Sequence, residues 1–199
     1  AQNAAYTKAL GPAQEAVRLS DSPREDWYRF LSALHYELGD VDAMARVLRS
    51  MVSFWPKQTR YWSRLAWSYE TLGRSDDARA VLELADKQSL LVEESQFLHL
   101  ARLYLQAGVP SRAARVVRTG LDSGSIKSTT ENWTLLADAL MQSEDRTAAI
   151  QALEGAVKQS KGSGLHVRLA RAHLSDEDWQ AAIRVTKSGL GKHDAEQVA

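Results

Sequence analysis

Apolar and small residues return at the same places in successive blocks of the chain. The clearest block is Trp62-Ser63-Arg64-Leu65-Ala66-Trp67-Ser68-Tyr69, followed by Gly73, Ala78, Leu82 and Ala85. Within it the apolar residues fall three, four and seven apart, the spacing of one face of an α-helix. Gly73 then punctuates the pattern, and a second helical stretch follows. Taking Trp62 as position 4 of a unit of about 34 residues, the same assignment runs in both directions. Gly39 precedes Gly73 by 34 residues and Gly108 follows it by 35. Position 7 reads Leu31, Leu65, Leu100, Leu136 and Leu169, and position 8 reads Ser32, Ala66, Ala101, Ala137 and Ala170. Position 20 reads Met44, Ala78, Ala113, Ala149 and Ala182, and position 27 reads Met51, Ala85, Gly120, Ala156 and Gly189.

The pattern predicts a helix pair, A then B, in every unit. Small residues at 8, 20 and 27 let helices approach, and large ones at 4, 7, 11 and 24 fill the space left. A single pair cannot bury its own apolar face, so neighbours stack and share a core. Glycine at the A–B turn takes a left-handed conformation at little cost, and Pro110 opens a B helix where its missing N–H is harmless. The last two units carry Glu144 and Glu177 in the glycine slot. Asp176 is expected to cap the final helix, and Pro12 to kink the first. Met44 and Met51 in place of alanine imply a wider A–B contact in the first unit.

This pattern closely resembles the tetratricopeptide repeat. The resemblance implies an all-α fold, a right-handed superhelical solenoid of antiparallel helix pairs. The expected organisation is one array over 1–199. Residues 1–22 form the second helix of a preceding repeat, with Tyr6, Ala9, Ala13 and Ala16 in its register. Five repeats follow at 25–58, 59–92, 94–127, 130–162 and 163–196.

Composition narrows the function. Lys plus Arg and Asp plus Glu both number 25, so nothing draws the whole chain to nucleic acid or an anionic membrane. No apolar run approaches the ~18 residues of a membrane span, so direct membrane insertion is not expected. The absence of cysteine removes disulfides, thiolate metal sites and a cysteine nucleophile, and leaves both cytoplasm and periplasm open. The chain opens on Ala1-Gln2-Asn3 without methionine, and is expected to be a processed chain or an excised piece.

No motif with a catalytic mechanism is present, so no enzyme, cofactor or metal is expected. His35 and His173 occupy position 11, the slot of Tyr69 and Tyr104, where packing explains them. His166 and His173 lie seven apart, not the three or four of a helical metal pair. Carboxylate pairs such as Asp76-Asp77 and Glu93-Glu94 fall at helix starts, where the dipole favours them. Of six tryptophans, Trp62 and Trp133 at position 4, Trp179 at position 17, and Trp27 and Trp55 are expected to be mostly core.

Trp67 differs. It holds position 9, which in the resembled fold faces the concave side with positions 2, 5, 12 and 13. The expected partner-binding groove is Arg29, Tyr36, Arg60, Trp67, Glu70, Arg102, Asp138, Met141 and Arg171, with His99 beside it. Trp, Tyr and Arg are the residues that most often anchor interfaces, so the reading is a non-enzymatic scaffold holding a protein or peptide. Its arginines imply binding that weakens with salt. The carboxylate clamp of chaperone-tail readers, Lys at position 5 with Asn at 9, is replaced by Arg29 with Ala33, and then by Ser63 with Trp67.

A narrower likeness runs over residues 24–125. Glu25-Asp26-Trp27-Tyr28, Leu34 to Asp40, Trp55-Pro56-Lys57, Tyr61-Trp62, Leu90-Leu91, Glu93-Glu94-Ser95 and Leu103-Tyr104-Leu105 before Val109-Pro110 resemble periplasmic tetratricopeptide proteins found with gamma-proteobacterial TonB–ExbB–ExbD systems. That resemblance implies further repeats on both sides, export to the periplasm, and TonB-system components as partners in energy transduction. The alternative is a self-associating structural scaffold in an envelope complex, using the apolar Tyr6, Ala9 and Ala13 of an unpaired first helix.

Overall fold

The computed structural model describes residues 2–160 and 162–198; residues 1, 161 and 199 of the expected array lie outside the described residues. Among these there are eleven helices and no strand. They divide into two compact units, residues 1–92 and 93–199. The first holds α1 (Gln2–Leu19), α2 (Glu25–Glu37), α3 (Val41–Phe54), α4 (Thr59–Thr71) and α5 (Ser75–Lys87). The second holds α6 (Glu94–Gln106), α7 (Pro110–Asp122), α8 (Thr130–Gln142), α9 (Arg146–Gln159), α10 (Gly164–Ser175) and α11 (Trp179–Val198).

Within each unit, helices adjacent in sequence pack on one another: α1 through α5 in the first, α6 through α11 in the second. Short turns of this kind make sequential helices antiparallel neighbours. The five A–B turns share one hydrogen-bond pattern. After α2, Gly39 sits at φ 72° and the Asp40 amide donates to the His35 carbonyl at 2.9 Å. The amides of Arg74, Val109, Asp145 and Asp178 donate in the same way to Tyr69, Tyr104, Leu140 and His173. This is the six-to-one bond of a left-handed helix stop. Glu144 and Glu177 keep it at φ 61° and 59° without being glycine, at a cost of about 1 kcal/mol each.

The next helix starts from the same turn. Asp40, Asp145 and Asp178 accept the amides of Ala43, Ala148 and Ala181 at 3.0, 3.1 and 2.9 Å. The expected cap of the last helix was Asp176, and the structure gives that role to Asp178. The reason is local: Glu177 takes the left-handed position, which places the following residue at the head of α11. Pro12 lies inside α1, which is helical on both sides of it.

The core follows the repeat. Position 7 leucines and position 8 residues are buried in all five repeats, and so are positions 20 and 27. Met44 and Met51 are each 1% exposed, filling the space that alanine leaves elsewhere. One group of residues departs from expectation. Trp62 is buried, but Trp27, Trp55 and Trp133 are half-buried and Trp179 is 61% exposed. Trp179 opens α11, ahead of the buried pair Ala181 and Ala182, so the apolar face of that helix starts after it.

A-helix packing within each unit is fixed by a recurring polar link. Glu25, first in α2, accepts from the Tyr61 hydroxyl of α4. Glu94, first in α6, accepts from Asn132 Nδ2 of α8 at 2.6 Å. Both join position 1 of one repeat to position 3 of the next. Hydrogen bonding by Tyr61, and then the Arg60 charge, hold the Glu25 carboxyl below its ordinary range.

Candidate functional site

In the first unit, α2 and α4 bring Tyr36 and Trp67 together. Their ring centroids lie 6.0 Å apart at 55°, inside the range of favourable aromatic pairs. Both rings stay open, at 52% and 43% exposure. The other tyrosines of repeats 2 and 3, Tyr61, Tyr69 and Tyr104, are buried. The two arginines of this face are engaged. Arg29 pairs with Asp26 of its own helix at 3.4 Å. Arg60 pairs with Glu25 at 3.2 Å and lies 5.0 Å over the Tyr61 ring. Arg60 therefore braces α4 against α2 while keeping about half its side chain in solvent. Glu70 is half-buried on α4.

In the second unit, Arg102 is exposed on α6 and His99 is half-buried a turn earlier. Asp138 of α8 is paired with Arg168 of α10. Met141 and Arg171 line a cavity of about 360 Å³ with Arg146, Ile150, Arg168 and Ser175. Sequence reasoning missed Arg146 and Arg168. Arg168 and Arg171 are three apart and share a helix face, which was the available signal. Arg146 opens a B helix, a place the concave positions do not cover.

Three of the five histidines are core residues. His35, His166 and His173 are buried. His35 Nδ1 lies 3.6 Å from Asp40 Oδ2, and His173 Nδ1 lies 4.0 Å from Asp178 Oδ2, so the same pairing occurs in the first and last repeats. No group of three or more His, Asp or Glu among the described residues is placed to hold a metal. Burial pushes the His35 pKa below its ordinary value, against the opposing charge of Asp40 and with that of Arg46. The unfolded chain takes up this proton first as pH falls below about 6.5. The stability His35 contributes is thus complete above that value and is lost as pH falls through the folded pKa. His35→Tyr, the residue of this slot in Tyr69 and Tyr104, is expected to reduce the loss of stability between about pH 7 and pH 5. Urea unfolding at the two pH values checks it.

Tetratricopeptide-repeat models match residues 59–89 and, in two overlapping stretches, 98–163 and 134–191, together more than half of the chain. Among curated proteins none matches it significantly in sequence. Solved structures match its fold. YrrB, described as a tetratricopeptide protein with an unusual peptide-binding site, aligns over 94% of this chain and 92% of its own, with TM-score 0.63 and 12% identity. MamA aligns over 85% of this chain and 98% of its own, with TM-score 0.59 and 14% identity. MamA residues 41 to the end, from Desulfovibrio magneticus RS-1, align over 88% of this chain and 98% of their own, with TM-score 0.58 and 15% identity. With the five shared turns and the repeat-wide core, these matches establish that the chain belongs to the tetratricopeptide-repeat family and has its all-α helical-repeat solenoid fold.

Proposed function

We propose that the chain is a non-enzymatic scaffold that binds a segment of a partner protein through the A-helix faces of its units. The carrying observation is the Tyr36–Trp67 pair. This fold places its other central tyrosines in the core, yet it leaves these two large rings in solvent and against each other. Exposed aromatics of this kind carry much of the energy of protein interfaces. YrrB, similar in fold, is described as having a peptide-binding site. No helix among the described residues is long and apolar enough to cross a membrane.

The likeness of residues 24–125 to periplasmic TonB-associated repeat proteins names the candidate partners. The chain would then act in the periplasm as an accessory of TonB-dependent energy transduction. Pull-down of cell-envelope proteins, followed by calorimetry with purified periplasmic domains of TonB and ExbD, tests both parts. Trp67→Ala and Arg102→Ala are each expected to weaken partner binding about tenfold or more. Unchanged affinity in both variants removes the A-helix reading, and binding only to proteins outside the TonB system removes the finer one.

A second reading is self-association. Its observation is two apolar hollows, one in each unit. Ala9, Pro12, Ala13, Trp27 and Phe30 line one of about 330 Å³. Val167, Ala170, Leu174 and Leu190 line the other, of about 350 Å³. Sedimentation showing a concentration-dependent dimer that Phe30→Ser or Leu174→Ser disperses supports it; monomer at all concentrations excludes it.

A further inference from the structure

The cavity at the start of α9 collects three guanidinium groups. Arg146 comes from the first residue of α9, and Arg168 and Arg171 come from one face of α10. Asp138 of α8 pairs with Arg168. Arg146 and Arg171 have no ion-pair partner among the described residues and are exposed. Among the described residues no carboxylate lines the cavity itself, and Asp138 reaches only the lining Arg168. Its floor is apolar, with Ile150 8% exposed and Met141 half-buried. The chain as a whole carries no net charge, so this surplus is local. The amino end of α9 adds nothing to it, because the Asp145 carboxylate already caps the Ala148 amide there.

Like charges held around one hollow repel each other, and an anion placed between them removes that cost. Guanidinium groups bind carboxylates through paired, charge-assisted hydrogen bonds. The apolar floor adds room for a side chain beside the acid. We propose that this cavity binds an acidic peptide segment, with Arg146 and Arg171 holding a carboxylate and Met141 and Ile150 covering a neighbouring apolar side chain. The site uses positions 6 and 9 of an A helix and position 17 of a B helix. It rests on the reading that the chain takes peptides, and it assigns the chemistry of one part of that ligand to the second unit.

The test is fluorescence anisotropy with a short labelled peptide alternating glutamate and leucine, beside its glutamine counterpart. The full chain is expected to bind the glutamate peptide and not the glutamine one, with affinity falling as ionic strength rises. Arg146→Gln and Arg171→Gln are each expected to weaken it about tenfold or more, with helical circular dichroism unchanged. Met141→Ala is expected to weaken it less. Arg49→Gln, at an exposed position of α3, is expected to leave it unaltered, so failure at this cavity is distinguishable from a general loss of charge. The aromatic pair is tested apart from it, by the partner's affinity for Trp67→Ala. Equal binding of both peptides, or unchanged binding in both arginine variants, overturns the proposal. So does a cavity occupied by inorganic phosphate alone, seen as shifts of the Arg146 and Arg171 Nε–Hε resonances with phosphate and none with the peptide.

Discussion

Leu136→Ala is expected to lower the stability of the second unit by about 2–5 kcal/mol. Leu136 holds position 7 of α8 and is 1% exposed. It lies on the helix that packs against both α7 and α9, so the deletion opens a cavity where three helices meet. Neighbouring side chains collapse only partly into such a space, and the cost grows with the volume left. The equivalent leucines Leu65 and Leu100 are 1% and 0% exposed, which makes the repeat its own control. Stability in repeat arrays is carried by each repeat and its neighbours. Amide exchange should therefore quicken most in α7, α8 and α9. Denaturant melts with exchange mass spectrometry give both quantities. A loss below about 0.5 kcal/mol, the range of ordinary surface changes, is inconsistent with this packing.

Gly120→Val is expected to cost about 1–3 kcal/mol by overpacking. A Cβ at residue 120 would stand 2.5 Å from Ile126 Cδ1 and 2.6 Å from Ile126 Cγ1. Ile126 is itself 1% exposed, in the link from α7 to α8, so its side chain has no solvent to retreat into. Two backbone features hold the link in place: the Ile126 amide donates to the Gly120 carbonyl at 2.8 Å, and Gly124 takes φ 74°. Valine gains a few tenths of a kcal/mol in helix propensity over glycine, far less than the clash. Thermal melts of the variant and of Gly120→Ala rank the steric term, and alanine is expected to fall between wild type and valine. The position matters because 27 is one of the small-residue slots through which B helices approach their neighbours.

Periodicity made the helix pairs legible because burial is decided by which face a residue occupies. Leu31 and Leu169 are buried for the same reason, although 138 residues separate them in the sequence. Turn chemistry was legible at Gly39, Gly73 and Gly108, and the same turn survives with glutamate at 144 and 177 because six-to-one bonding and an aspartate cap enforce it. Side-chain partners were not legible. Position within a helix says that Arg60 lies on the A face, but not that Glu25 and Tyr61 hold it. The exposure of Trp179 was missed because position 17 precedes the apolar stripe of α11. Arg146, Arg168 and Arg171 meet only when α9 and α10 are packed, a juxtaposition that no single helix pattern carries. The Tyr36–Trp67 pair lies between these extremes: position put both residues on the A face, and the packing of α2 and α4 supplied the contact.

The central claim is that a partner segment lies on the A-helix face. It is tested most directly by photo-crosslinking in cells, with benzoyl-phenylalanine replacing Trp67 or, as the comparison, Leu84, which is 49% exposed on α5. Adducts from position 67 that map to one contiguous segment of one partner protein, with none from position 84, are the predicted result. Adducts from position 84 alone, or adducts only to further copies of this chain, contradict it.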